Sequence, residues 1–173
     1  MTTCVDRETA VDPATFRELF RHYPNGVAII TAQGDEGPVG FTATSVVSIS
    51  AEPPVLAFSI RESASAWPTV ATARSVVVHF LDTAHRELSE LFATSGVDRF
   101  APAAWERLPT GEPRLLDVPT WARGPVLERV PAGGSTVVLV GAAAASVGQD
   151  RVPLVYHDRH YHSLTPLSVL DEA

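Results

Sequence analysis

Lysine is missing from this chain: all thirteen basic residues are arginine, set against twenty carboxylates for a formal net charge of −7. Its absence excludes Schiff-base chemistry and a phosphate-loop lysine, so any bound phosphate must rely on Arg, hydroxyls or backbone N–H groups. No basic run occurs, which argues against a nucleic-acid partner or an acidic membrane surface, since both need a positive footprint. Cysteine is almost absent too. Cys4 alone permits neither a disulfide framework nor a thiolate metal cluster and fits a reducing compartment. No run approaches about eighteen apolar residues, and MTTCVDRETAVD has no apolar segment of the signal-peptide kind. A soluble cytoplasmic protein is expected.

At 173 residues, 45% apolar and 19% charged, the chain suits one globular domain. Residues 1–12 are expected to form a disordered N-terminal tail, 13–165 the domain and 166–173 a C-terminal tail. Asp12-Pro13 followed by Phe16, Leu19 and Phe20 predicts a capped helix with an apolar stripe, ended by Tyr23-Pro24. GVAIITA (26–32) reads as a strand, and Gly34-Asp35-Glu36-Gly37 as a hairpin turn into GFTATSVVSIS (40–50). In that stretch Val39, Phe41, Ala43, Val47 and Ile49 alternate with Thr42, Thr44, Ser48 and Ser50, broken only at Ser45-Val46.

Further strands are predicted at 55–60, 75–81, 126–130, 135–147 and 154–157, the last with a possible extension through Tyr161. Two helical segments join them, a short one near 69–73 and one capped by Asp82 carrying Leu88, Leu91 and Phe92. Residues 98–125 hold five prolines and no clear period, the pattern of a functional or mobile segment. With no βαβ alternation, the expected fold is mainly β, a small closed barrel with flanking helices.

Several chemical motifs fail on context. Gly34, Gly37 and Gly40 lead into a strand beside Asp35 and Glu36, which would repel phosphate. His157, His160 and His162 have no obvious carboxylate to complete a metal shell, and on one strand His157 would point away from the other two; no metal is expected. No G-x-S-x-G elbow is present. Trp67, Trp105 and Trp121 suit core or interface positions, though the latter two fall where a ligand lid would lie. The strongest constellation is Thr42, Thr44 and Ser45 with Ser63 and Ser65 beyond the next strand. These hydroxyls converge if the strands are neighbours, and suit a phosphorylated ligand with a polyol chain.

YPNGVAIIT (23–31), GFTATSVVSISAEPPVLAFSI (40–60), SASAWPTV (63–70), SVVVHFL (75–81), DRFA (98–101) and PLVYHDRHY (153–161) form an ordered series covering most of the chain. In that order and spacing the chain resembles the short-chain flavin reductases of the FMN-binding split-barrel fold. The resemblance implies a six-stranded antiparallel split β-barrel with flanking helices and a homodimer with flavin near the interface. It also implies hydride transfer from NADH or NADPH to FMN or FAD, the reduced flavin going to a partner monooxygenase. The residues it places at the flavin are Pro24, Asn25, Thr42, Ala43, Thr44, Ser45, Ser63 and Ser65, with Arg99 and Phe100 as phosphate and ring contacts. Catalysis would rest on stacking and orienting two rings, not on a side-chain acid or base.

One departure stands out. Many such reductases carry A-G-D-H-T where this chain has Ala132-Gly133-Gly134-Ser135-Thr136, losing the acidic residue and the histidine associated with nicotinamide. His79, Ser135 and His160 are the remaining candidates for the nicotinamide side. An FMN-retaining enzyme acting on an organic substrate and a non-catalytic flavin-binding module are the alternatives.

Overall fold

In a computed structural model, residues 10–149, 151–165 and 168 are described. Most of the two expected tails, and Cys4, lie outside the described residues. Helix α1 (Pro13–Arg21) starts as predicted, with the Asp12 carboxylate accepting from the N–H groups of Ala14 and Thr15 at 2.9 and 3.1 Å. The expected strand at 26–32 is divided: β1 (Asn25–Gly26) belongs to a different sheet from β2 (Ala28–Gly34), which forms a tight hairpin with β3 (Gly37–Ala43).

The chain leaves strand geometry at Thr44–Val46, where the alternation breaks, and resumes as β4 (Val47–Ala51) and β5 (Pro54–Arg61). Next come α2 (Trp67–Thr72), β6 (Ser75–Phe80), a 3₁₀ turn at Thr83–His85 capped by Asp82, and α3 (Arg86–Ala93). A small hairpin, β7 (Trp105–Arg107) with β8 (Pro113–Leu115), precedes the long β9 (Trp121–Ala132) and β10 (Ser135–Gly141). The remaining strands are β11 (Ala144–Ser146), β12 (Leu154–His157) and β13 (His160–Ser163).

Six strands follow one another antiparallel in the order β3-β2-β6-β9-β10-β5, and β4 is added outside β5. This is the expected mainly β architecture. Its ends, β3 and β5, face each other across a seam: the Phe41 and Phe58 rings approach to 6.1 Å. Ser45 Oγ donates to the Ser59 carbonyl at 3.1 Å and accepts from its N–H at 3.0 Å.

The continuous apolar character of β2 follows from burial on both faces. Ala28, Ile30 and Ala32 point into a core shared with Phe58, Val76, Val78 and Val138. Val27 and Ile29 belong to an outer cluster with Phe92, Phe100, Leu115, Val118 and Leu154. The proline-rich segment therefore packs over the outside of the barrel through Phe100, Leu115 and Val118, while its Arg99 reaches the β3–β5 seam. Leu115 and Val118 are buried, Trp105 meets Phe100 edge-on at 5.5 Å, and Arg114 stacks over Trp121. Gly40 makes room for this layer, since a Cβ there would lie 2.6 Å from the Phe92 ring.

The odd-numbered face of residues 39–49 divides at the break. Val39 and Phe41 are half-buried, but Val47 and Ile49 are 52% and 55% exposed because β4 hangs outside the barrel. Helix α1 likewise buries none of its residues, and its apolar stripe faces outward.

Candidate functional site

The β3–β5 seam opens into a cleft of about 490 Å³. Thr42, Ala43, Thr44 and Ser45 line it together with Ser63 and Ser65 from the loop between β5 and α2. Arg99 and Ser135 line it too, so most of the predicted site residues, far apart in the chain, share one cavity. The antiparallel order makes this inevitable once β3 and β5 become the two edges of the seam.

The lining carries two guanidinium groups, Arg61 and Arg99, and no carboxylate, although the chain as a whole is acidic. Such a cavity favours an anion. Its hydroxyls divide into two sets. Thr42 Oγ1 donates to the Ser89 carbonyl at 2.7 Å, and Ser45 is committed to Ser59, so both stabilise the wall. Among the described residues, the hydroxyls of Thr44, Ser63, Ser65 and Ser135 meet no protein partner, nor do the N–H groups of Thr44, Ser63 and Ser65. These groups are free to bind the oxygens of a phosphorylated polyol.

Arg99 serves the wall more than a ligand. Its Nη1 donates to the Gly40 carbonyl at 2.6 Å, while Nε and Nη2 donate to the Thr94 carbonyl at 2.9 and 2.7 Å. Partial burial pushes its pKa below the ordinary arginine value. Arg61, which the sequence reading did not single out, is exposed at the end of β5, its guanidinium without a protein partner among the described residues. Its place at the end of the 55–60 strand, two residues before Ser63 of SASAWP, was the available signal.

Two aromatic and histidine candidates are corrected. Phe100 is a core residue, 7% exposed, packed edge-on at 5.2 Å from Phe92, so its ring is not presented to the cleft. His79 is completely buried. Its Nδ1 faces the Ile29 carbonyl at 3.2 Å and its Nε2 accepts from the Leu115 N–H at 3.0 Å. Burial outweighs the other influences and lowers its pKa to about 3, leaving a neutral structural imidazole that no nicotinamide can reach.

His160 sits on β13, with Nδ1 2.7 Å from the Asp158 carbonyl, and does not line the cleft. The single strand envisaged for the three histidines is a hairpin, so His157 meets His162 with ring centroids 5.6 Å apart instead of pointing away from it. No metal-binding group of His, Cys, Asp and Glu occurs among the described residues.

An adjoining recess of about 550 Å³ shares Thr44, Ser45 and Ser59 with the cleft. Asn25 lines it beside Phe16, Phe20, Tyr23 and Tyr156, its Nδ2 donating to the Tyr23 carbonyl at 2.9 Å. Pro24 is exposed and lines neither cavity. A larger hollow of about 910 Å³ lies beyond Ser65 but is bordered by Asp35, Glu36 and Asp98, which disfavour phosphate. In the AGGST segment, Gly133 and Gly134 form the two-residue β9–β10 turn with φ of +57° and +80°. That turn is easily formed by glycine and strained for most other side chains.

The family profile described as "Flavin reductase like domain" matches residues 20–165. An NADH:FMN oxidoreductase of Rhodococcus qingshengii is 37% identical over 164 residues, covering 92% of this chain and 85% of the relative. The stachydrine N-demethylase reductase subunit Stc3 of Rhizobium meliloti is 36% identical over 135 residues, covering 78% and 58%. Among solved structures, a flavin reductase domain protein from Arthrobacter sp. FB24 superposes with a TM-score of 0.86 at 39% identity, covering 93% of this chain and 99% of that one.

Proposed function

The chain belongs to the flavin reductase-like domain family, and from that premise we propose that it is an NAD(P)H:flavin oxidoreductase, transferring hydride from NADH or NADPH to FMN or FAD. The observation that carries the reading is the lining of the β3–β5 cleft, where unpartnered hydroxyls and arginine meet with no carboxylate. Arg61, Ser63 and Ser65 hold the phosphate by charge and hydrogen bonds. Thr44 and Ser135 bind the polyol oxygens, and Asn25 with the Tyr23 carbonyl borders the ring end. Bound flavin supplies the two-electron acceptor. The chain holds and orients the reactants, converting their encounter into an effectively intramolecular one.

Reduced flavin passes to a partner monooxygenase, a reading supported by the similarity to a demethylase reductase subunit. A second copy of the chain covers exposed apolar side chains of the outer strands, Val47 and Ile49 on β4 and Leu127 and Val130 on β9, each more than 40% exposed. A single cysteine suits work in the reducing cytoplasm. No described helix is long and apolar enough to cross a membrane.

Anaerobic mixing of the flavin-loaded protein with NADH or NADPH, followed by flavin absorbance, tests the activity. Rapid bleaching with at least one donor is expected; bleaching no faster than free flavin with both refutes it. Light scattering tests the assembly, with twice the chain mass expected.

A further inference from the structure

The AGGST segment offers no acidic residue or histidine, but its backbone and its threonine hold the loop that follows β5. The Glu62 N–H donates to the Gly134 carbonyl at 3.1 Å, which extends the β5–β10 ladder one residue past the Arg61–Ser135 pair. Because side chains alternate along a paired strand, this extra rung turns Arg61 to the cleft and Glu62 to the opposite face. Thr136, 2% exposed, secures the arrangement: its Oγ1 donates to Glu62 Oε1 at 3.2 Å. A carboxylate that stands between Arg61 and Ser63 in the chain is in this way kept out of the cleft lining.

The far end of the loop is held by the same pair of strands. Two turns carry the chain from β5 into α2, closed by the Ala64 N–H on the Arg61 carbonyl at 3.0 Å and the Trp67 N–H on the Ala64 carbonyl at 2.9 Å. With six residues, and no side-chain cap at its start among the described residues, α2 has little stability of its own. Arg129 on β9 supplies the tie. Its Nε donates to the Val70 carbonyl at 3.0 Å and its Nη2 to the Ala73 carbonyl, satisfying backbone acceptors at the end of α2. Residues 61–66 are therefore suspended between two contacts with the β9–β10 hairpin.

We propose that the β9–β10 hairpin positions the flavin phosphate loop, with Thr136 and Arg129 as positioning residues that keep Arg61, Ser63 and Ser65 turned to the phosphate and Glu62 turned away. The inference rests on the flavin reductase reading and deepens it. Neither positioning residue lines the cleft, so each acts through the loop and not on the ligand. Without the Thr136 hydroxyl, the Glu62 carboxylate is released beside Arg61 and competes with the phosphate for its guanidinium. Without Arg129, α2 loosens and Ser65, just before it, loses its fixed place.

FMN and riboflavin share the ring and the ribityl chain and differ in the phosphate, so the ratio of their dissociation constants reports on the phosphate loop alone. The test is fluorescence titration of both flavins against the full-length wild type, T136V, T136S and R129Q. The wild type should prefer FMN. T136V and R129Q should each reduce that preference about fivefold through weaker FMN binding, with riboflavin affinity unchanged. T136S, which keeps the hydroxyl, should retain the preference, and E62Q/T136V should regain most of what T136V loses because no charge is released. Equal weakening of both flavins, which a merely structural role would give, overturns the proposal, as does an unchanged preference in T136V and R129Q. If T136V does not fold, R129Q decides. A wild type that binds FMN no tighter than riboflavin overturns this inference alone, whereas one that binds neither flavin refutes the flavin reductase reading and the inference with it.

Discussion

His79 is expected to make the protein less stable in mild acid. Its hydrogen bonds suit only the neutral imidazole, with Nδ1–H toward the Ile29 carbonyl and a lone pair on Nε2 for the Leu115 N–H. Protonation would set an N–H against an N–H in a site with no solvent access. The pKa is about 3 in the folded protein against 6.5 for the free side chain. Between those values the unfolded chain binds the proton and the folded chain does not, so stability falls as pH falls from 6.5 toward 3 and is unaffected well above 6.5. The slope approaches about 1.4 kcal/mol per pH unit, which gives a loss of about 2 kcal/mol between pH 7.5 and 5. Urea unfolding of wild type and H79Q across that range measures it. The wild type should lose stability over this interval. The glutamine variant, which can still offer a donor and an acceptor, should be nearly flat. A flat wild type, or a variant that keeps the slope, refutes the buried neutral imidazole. So does H79Q abolishing nicotinamide turnover at unchanged stability.

The two sets of cleft hydroxyls should separate experimentally. T44V and S63A are each expected to weaken flavin binding about 5-fold in fluorescence titration, from loss of about 1 kcal/mol, with little change in Tm. S45A should instead cost about 1–2 kcal/mol of stability in urea, because it leaves the Ser59 N–H unpartnered. For Glu112, burial favours the neutral acid, but hydrogen bonds from Arg123, Ser75 and Thr110 outweigh it and hold the pKa at about 2. That stabilisation is complete above about pH 4.5 and lost as pH falls toward 2, so E112Q should be less stable than wild type by about 2 kcal/mol at pH 7 and by much less at pH 2.5 in chemical denaturation. G40A should lower stability by about 1–3 kcal/mol, read as a reduced Tm, because its Cβ must displace the Phe92 ring.

Much of the fold was legible locally. The Asp12 cap, the Gly34–Gly37 hairpin and the break at Ser45-Val46 are all written in short-range chemistry, and each is found where expected. His79 was legible in principle, since SVVVHFL is apolar on both sides and a strand of that kind is buried on both faces. The histidine motif misled because a turn at Asp158-Arg159, with two non-glycine residues at positive φ, gives no glycine signal. The proline-rich segment misled for a related reason: irregular backbone has no period, and only contact with Phe92 and Ile29 shows that it packs.

Residue order by itself determined that the chain is an arginine-only acidic protein of antiparallel strands, with hydroxyls concentrated at two chain breaks and an ordered series of segments shared with flavin reductases. Those properties depend on composition and on neighbours a few residues away. Tertiary structure decided which hydroxyls are free, because Thr42 and Ser45 are committed to Ser89 and Ser59, residues 47 and 14 positions distant. It also decided that α1 faces outward and that Arg61 joins the cleft. Partners for a polar group, and cover for an apolar one, come from strands brought together by barrel closure, a long-range geometry that no local pattern encodes.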